Sequence, residues 1–282
     1  MVLPTFVVIG AMKAGTVSLH HYLGEHPGVM VAGGEPNYFV TEFNWSRGHG
    51  WYESLFDGAD AVAARGECSP SYTWAHAFGG VPERMARVLP RARLVYLVRE
   101  PVARMQSMYM HQVSAGRERR RPEVALQDDR YLRPSQYGFQ LDAYLDHFER
   151  DQILVVASEV LRDRPREALT AVLEHIGIDP AALDLDRQRR DHRSMDKPVP
   201  RLHDLPWLPR RQVQDNPRWR PDQRTGLART LTTRPARADD AAIPAALRDQ
   251  LAGRLVPDRE RFEQILGHPV PADWRWRVSA PA

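Results

Sequence analysis

Lysine is almost absent from this chain. Of 39 basic side chains only Lys13 and Lys197 are lysine, and the rest are arginine. A lysine that does occur therefore marks a place where a compact, rotatable ammonium does something that a planar guanidinium cannot. Cysteine is scarcer still, and the lone Cys68 excludes an internal disulfide. No apolar run approaches the ~20 residues of a membrane span. No basic n-region of a signal peptide precedes the short apolar stretch at 7–9. A cytoplasmic protein without a membrane partner is expected. A large excess of one charge is missing too: 36 acidic residues leave a formal charge of only +3. That is weak ground for a nucleic-acid partner, which is not expected, and it fits a local anion site equally well. There is no internal repeat and no clustered set of His, Cys and Asp ligands, so no metal is expected.

What is present is the composition of a folded globular chain, 43% hydrophobic and 27% charged. Its 282 residues are expected to form a single domain, 1–282. Residues 6–9 are apolar throughout and read as a buried strand, followed after Gly10 by helical spacing through Val17, Leu19, Tyr22 and Leu23 to Gly24. Residues 93–100 read as a second strand, ended by Pro101 and followed by a helix carrying Met105, Met108, Tyr109 and Gln112. Residues 152–159 read as a third, between helices at 138–148 and 165–177. Strands apolar throughout, separated by helices, predict a three-layer α/β fold with a parallel sheet covered on both faces. At about 184–240 arginine, proline and aspartate displace apolar periodicity, so long irregular or partly disordered segments are expected there. Helical spacing returns at 243–267.

The first strand–loop–helix unit suits an anion. Helix N-terminal amides have no intrahelical partner and the helix dipole favours negative charge there. Gly10 and Gly15 allow close backbone approach along Lys13, Ala14, Gly15, Thr16, Val17 and Ser18, and Thr16 and Ser18 add hydroxyls. The loop is neither GxxxxGK[ST] nor GxGxxG, because Lys13 follows Gly10 by three residues and no lysine follows Gly15.

The spacing G-x-x-K-x-G-T resembles the phosphosulfate-binding loop of sulfotransferases that use 3′-phosphoadenosine 5′-phosphosulfate (PAPS). The stretch 99-REPVARMQSMY-109 resembles that family's 3′-phosphate segment, implying Arg99 and Ser107 as phosphate partners. The stretch 34-GEPNYF-39 resembles the acid-x-x-aromatic-Phe block of the heparan sulfate N-/3-O-sulfotransferase branch, implying Glu35 as general base. The stretch 66-GECSPSY-72 resembles a further block of that branch, with Cys68 where a lysine would stand. The resemblance runs on through 137–165 and weakly through 253–267. The resemblance also implies a late basic loop that closes over the adenosine, for which the candidate is 193–201, offering Lys197 and Arg201.

The resemblance implies sulfuryl transfer from PAPS to a hydroxyl or amine of a carbohydrate or small natural product. Lys13 would follow the bridging oxygen as it becomes negative. Glu35 would take the acceptor's proton, with His111 a further candidate on the acceptor side and Glu67 a lesser one. Two alternatives stay open: a kinase-like small-molecule transferase and a non-catalytic nucleotide-binding protein. His20 and His21 read as helix cover. The run 117-RERRR-121 reads as a solvated face in preference to a guide for an anionic polymer. Composition and spacing say nothing of oligomeric state.

Overall fold

The computed structural model describes residues 2–182, 199–200, 233–235, 242–271 and 274. The irregular segment expected at 184–240 lies almost wholly outside these residues. In chain order the elements are β1 (Phe6–Gly10), α1 (Thr16–Gly24), β2 (Val29–Val31), α2 (Gly48–Ser54), β3 (Ala64–Cys68), α3 (Val81–Val88) and β4 (Arg93–Val98). They continue with α4 (Pro101–Ser114), α5 (Pro122–Ala125), α6 (Asp129–Leu132), α7 (Tyr137–Leu145), β5 (Ile153–Ala157), α8 (Ser158–Asp163) and α9 (Pro165–His175). The last are β6 (Val199–Pro200), β7 (Thr233–Arg234) and α10 (Ala245–Leu266). Among the described residues no helix is long and apolar enough to cross a membrane.

The chain forms two compact units. The first, Met1–Arg99 with Tyr137–Asp191 and Glu260–Gly267, holds a five-stranded sheet of order β2-β3-β1-β4-β5 in which every pairing is parallel. This is the parallel sheet flanked by helices that the apolar strands predict. All of β1 and all of β4 after Arg93 are buried, as strands covered on both faces must be. The register is tight where β1 meets β3: a Cβ on Gly66 would stand 2.5 Å from the Phe6 ring, so glycine there is a packing requirement. After β3 the chain crosses to the other side of β1 to make β4. The carboxyl ends of β3, β1 and β4 therefore surround a topological switch point, where open α/β sheets bind ligands.

At the opposite end of the sheet His175 closes α9 onto the strands. Its Nε2 lies 3.1 Å from both Leu94 O and Gln152 O, so Nε2 carries the proton and donates. Burial holds the imidazole below its ordinary value of 6.5, against the two carbonyls, which favour the charged form. A histidine depressed in the fold binds fewer protons than in the unfolded chain, so its contribution is complete above 6.5 and is lost as pH falls toward the folded value. The melting temperature is expected to drop on acidification below 6.5, and a His175→Gln variant to show a shallower drop. Identical pH profiles for the two proteins would refute this role.

The second unit comprises Glu100–Gln136, His192–Arg259 and His268–Ala282. Glu100 caps α4, accepting from Val102 N at 3.1 Å and Ala103 N at 2.6 Å, with Pro101 opening the helix. Arg104 is fully buried and donates to Ser135 Oγ at 2.6 Å and to Tyr131 O at 2.5 Å, which latches α4 to the turn after α6. Residues 117–121 depart from the expected solvated face. Glu118 is fully buried, accepts from Arg120 at 2.6 Å and 3.0 Å and from Tyr131 at 3.0 Å, and its carboxyl is held below the usual range. One buried acid in the run draws in Arg120, so the stretch anchors a loop, and only Arg121 of the five is exposed. β6 and β7 pair antiparallel, and α10 contributes Arg248, whose guanidinium stands 3.6 Å from Glu100.

Candidate active site

The loop after β1 is shaped by its neighbours. Gly10 meets the turn that follows β3: a Cβ there would lie 2.0 Å from Thr73 Oγ1, so the backbone can pass only without a side chain. Ala11 N–H then donates to Leu97 O at 2.5 Å and Ala14 N–H to Ala11 O at 3.0 Å, folding the loop over the end of β4. Lys13 takes a left-handed conformation, φ 72°, a state that costs a non-glycine residue about 1–2 kcal/mol. Arg99, just past β4, donates from Nη1 to Lys13 O at 3.3 Å. Gly15, φ 96°, is the N-cap of α1 and supplies no side chain to its first turn. The helix therefore opens with its amides turned to the loop.

Glu35 follows the glycine pair after β2. It is exposed, yet enough protein surrounds it for desolvation to raise its carboxyl above 4.5, against Lys13 and Asn37, which lower it. Lys13 and Glu35, 22 positions apart in sequence, thus come within electrostatic reach at the carboxyl edge of the sheet. The chain after Glu35 is firmly held. Asn37, φ 48°, donates from its backbone to Ser69 Oγ at 2.9 Å and from Nδ2 to Glu35 O at 2.9 Å, and its Oδ1 accepts from Ser71 Oγ.

Behind this loop Glu67 is fully buried. Its Oε1 accepts from Tyr52 at 2.7 Å and Tyr72 at 2.8 Å, and its Oε2 from Ser69 at 2.5 Å. With no exposed surface and both oxygens engaged, Glu67 anchors the turn and cannot meet an acceptor, contrary to its reading as a lesser candidate base. The Tyr52 and Tyr72 hydroxyls are pushed well up by burial and by Glu67, so they remain protonated donors. Cys68 is buried, and burial, Glu67 and Glu35 raise its thiol well above the ordinary value. It stands near Glu35 as a neutral group.

The other candidates are placed as follows. Thr16 is buried, Ser18 half-buried and Val17 exposed along the first turn of α1. His20 bonds Ala32 O at 3.0 Å, as helix cover should. Ser107, buried, and half-buried His111 share a face of α4 in the second unit. Lys197 and Arg201 lie outside the described residues. Among the described residues no group of three or more His, Cys, Asp or Glu is arranged to hold a metal ion. Sequence reading did not single out Asn37, Ser69, Ser71 or Thr73, although each lies in or beside a stretch already notable for its motif.

Residues 80–182 match the family model described as "Sulfotransferase family". The chain is 27% identical over 199 residues, 63% of its length and 22% of the relative's, to the Homo sapiens bifunctional heparan sulfate N-deacetylase/N-sulfotransferase 2. It is 29% identical over 192 residues, 63% of its length and 54% of the relative's, to the Homo sapiens heparan sulfate glucosamine 3-O-sulfotransferase 5. The matched region thus spans between a fifth and about half of these relatives. Its fold is similar to that of a sulfotransferase from Alicyclobacillus acidocaldarius, with a TM-score of 0.70 at 22% identity, covering 98% of this chain and 100% of the other.

Proposed function

We propose that this chain is a sulfotransferase that transfers a sulfuryl group from PAPS to a hydroxyl or amine of a carbohydrate or small natural product, a reading its similarity to the family model and to the heparan sulfate relatives supports. The observation that carries the reading is the convergence of Lys13 and Glu35 at the strand ends, with Arg99 gripping the backbone of Lys13. The donor-binding residues fit a phosphosulfate. The cradle tolerates no Cβ at Gly10, α1 begins without a side-chain cap, and the loop carries an ammonium. Lys13, Gly15, Thr16 and Ser18 would hold the 5′-phosphosulfate and Arg99 the 3′-phosphate. For Ala14, Val17, Ser107, Lys197 and Arg201 the proposal rests on the sequence resemblance, and for His111 on its place in the helix that follows Arg99.

PAPS supplies an activated sulfuryl group whose departure leaves negative charge on a phosphate oxygen. Lys13 meets that charge as the sulfur–oxygen bond to the phosphate breaks. Glu35 takes the proton of the attacking O–H or N–H as the new bond to sulfur forms. Its elevated carboxyl makes it a stronger base once ionised. The loops after β1 and β2 bring the two groups together, so the protein contributes mainly alignment and charge neutralisation.

Two measurements test this. Labelled sulfate is expected to pass from PAPS to an acceptor, detected as a mass shift in an acceptor screen, whereas turnover of ATP would favour a kinase-like reaction. Adenosine 3′,5′-bisphosphate at 100-fold its Kd is expected to stabilise the fold by about 2.7 kcal/mol, with ATP giving much less. Arg99→Ala should weaken that binding by roughly 1.5–3 kcal/mol, the value of a charged hydrogen-bonding group. Equal stabilisation by both nucleotides, or an Arg99→Ala protein with unchanged affinity, would remove the 3′-phosphate assignment.

A further inference from the structure

A carboxylate that follows two glycines, Gly33 and Gly34, has a pliant chain on its N-terminal side. On the other side the chain is fixed at every step. Pro36 is buried and its carbonyl accepts from Asn44 Nδ2 at 2.7 Å. Asn37 then takes the left-handed conformation that asparagine tolerates better than most residues.

The donors and acceptors around Asn37 run in one determined direction. Buried Glu67 accepts from the Ser69 hydroxyl at 2.5 Å while Tyr52 and Tyr72 donate to its other oxygen. Ser69, its one proton spent, is left to accept from Asn37 N–H at 2.9 Å. Ser71 donates to the Asn37 side-chain oxygen. The Glu35 main-chain oxygen, which can only accept, settles which way the amide faces: Nδ2 toward Glu35 O at 2.9 Å and Oδ1 toward Ser71. A buried acid on β3 thereby holds the Asn37 backbone through Ser69, while Ser71 holds its side-chain amide.

We propose that Asn37 is a positioning residue for the transfer reaction, with Ser69, Ser71 and Glu67 as its supports, setting the stance of Glu35 against Lys13. The proposal rests on the reading of Glu35 as the base. The Asn37 side chain also bears on the Glu35 carboxyl, lowering it alongside Lys13 against the opposing effect of burial. The titratable groups that face Glu35 among the described residues are Lys13 from the β1–α1 loop and the neutral Cys68 from β3.

The test is Asn37→Asp in the full chain, measured beside Glu35→Gln. Aspartate tolerates the same backbone and still offers Ser71 an oxygen, but it replaces the donor facing Glu35 with a second carboxylate. Like charges at such a site raise a carboxyl by about one unit or more. The acid limb of the kcat/KM profile should therefore move up by about one pH unit, with turnover on that limb down roughly tenfold and regained at higher pH. Affinity for adenosine 3′,5′-bisphosphate should stay within about twofold, since Asn37 supports the acceptor side. If the aspartate variant does not fold, Ser71→Ala frees the amide to turn and should lower kcat about threefold or more without changing nucleotide affinity. A folded Asn37→Asp protein with an unmoved acid limb, or a Ser71→Ala protein with unchanged kcat, overturns the proposal while an inactive Glu35→Gln protein leaves the base assignment standing. A Glu35→Gln protein that keeps its activity overturns the base assignment, and the role of Asn37 with it.

Discussion

Glu35→Gln is expected to cut turnover by about 10²–10⁴-fold, the usual cost of losing a general base, while leaving the affinity for adenosine 3′,5′-bisphosphate nearly intact. Glutamine keeps the size and the main-chain oxygen that Asn37 grips, so the loop should hold its course. What it loses is the ability to accept the acceptor's proton. The pH profile supplies a second signature. Burial raises the Glu35 carboxyl above 4.5, so the parent enzyme should lose rate on acidification through that raised value as the base becomes protonated. The variant should lose this limb along with its rate. An amine acceptor that is already deprotonated at high pH should depend on Glu35 less than a hydroxyl does. Turnover and nucleotide affinity measured on one folded preparation decide the matter. If a hydroxyl acceptor is still sulfated within a few-fold of the parent rate, the base is another residue, and His111 is the next to replace.

The strands that sequence reading found are the long apolar runs, β1 and β4 buried on both faces and β5 half-buried at the sheet edge. β1, β4 and β5 are apolar runs bounded by glycine, proline or a charged turn, and such runs announce themselves. β2 has only three residues, too few to show a period. β3 reads Ala-Arg-Gly-Glu-Cys, and it is a central strand although its composition suggests a loop. Its Gly66 makes room for Phe6, and its Glu67 is tolerated in the interior because three hydroxyls, from Ser69 and Tyr72 just after the strand and from Tyr52 on α2, converge on it. Neither compensation is visible until the strands are in register.

The same distinction holds in the candidate site. Lys13, Gly10 and Gly15 are legible because their function needs a local backbone shape, and a local shape leaves a local spacing. Arg99 is legible because a strand end followed by proline fixes where it stands. Asn37, Ser69 and Ser71 act through contacts that join the loop after β2 to the turn after β3, 32 or 34 positions away in sequence. Thr73 is defined by the lack of space over Gly10. These roles follow from strand order, since β2 and β3 are neighbours and β3 lies against β1.

Lys13→Arg is expected to retain most nucleotide affinity and lose about 10²-fold or more in turnover, comparable with removal of one preorganised donor to a developing oxyanion. The charge is kept, so attraction to phosphate survives. The shape is not. Lys13 sits in a left-handed conformation with its carbonyl held by Arg99, which fixes where its side chain leaves the backbone. From that origin a four-carbon stem with a rotatable ammonium can track one oxygen as it gains charge, whereas a planar fork seeks two fixed oxygens. With a neutral thiol at position 68, no second ammonium from β3 can take over the task. The acid limb separates the role of position from that of sign. Lys13 lowers the Glu35 carboxyl through its charge, so arginine should leave the limb in place, whereas Lys13→Ala should shift it upward as that lowering is lost. A fully active Lys13→Arg enzyme would show that charge alone suffices, and the preference for lysine in this arginine-rich chain would need another cause.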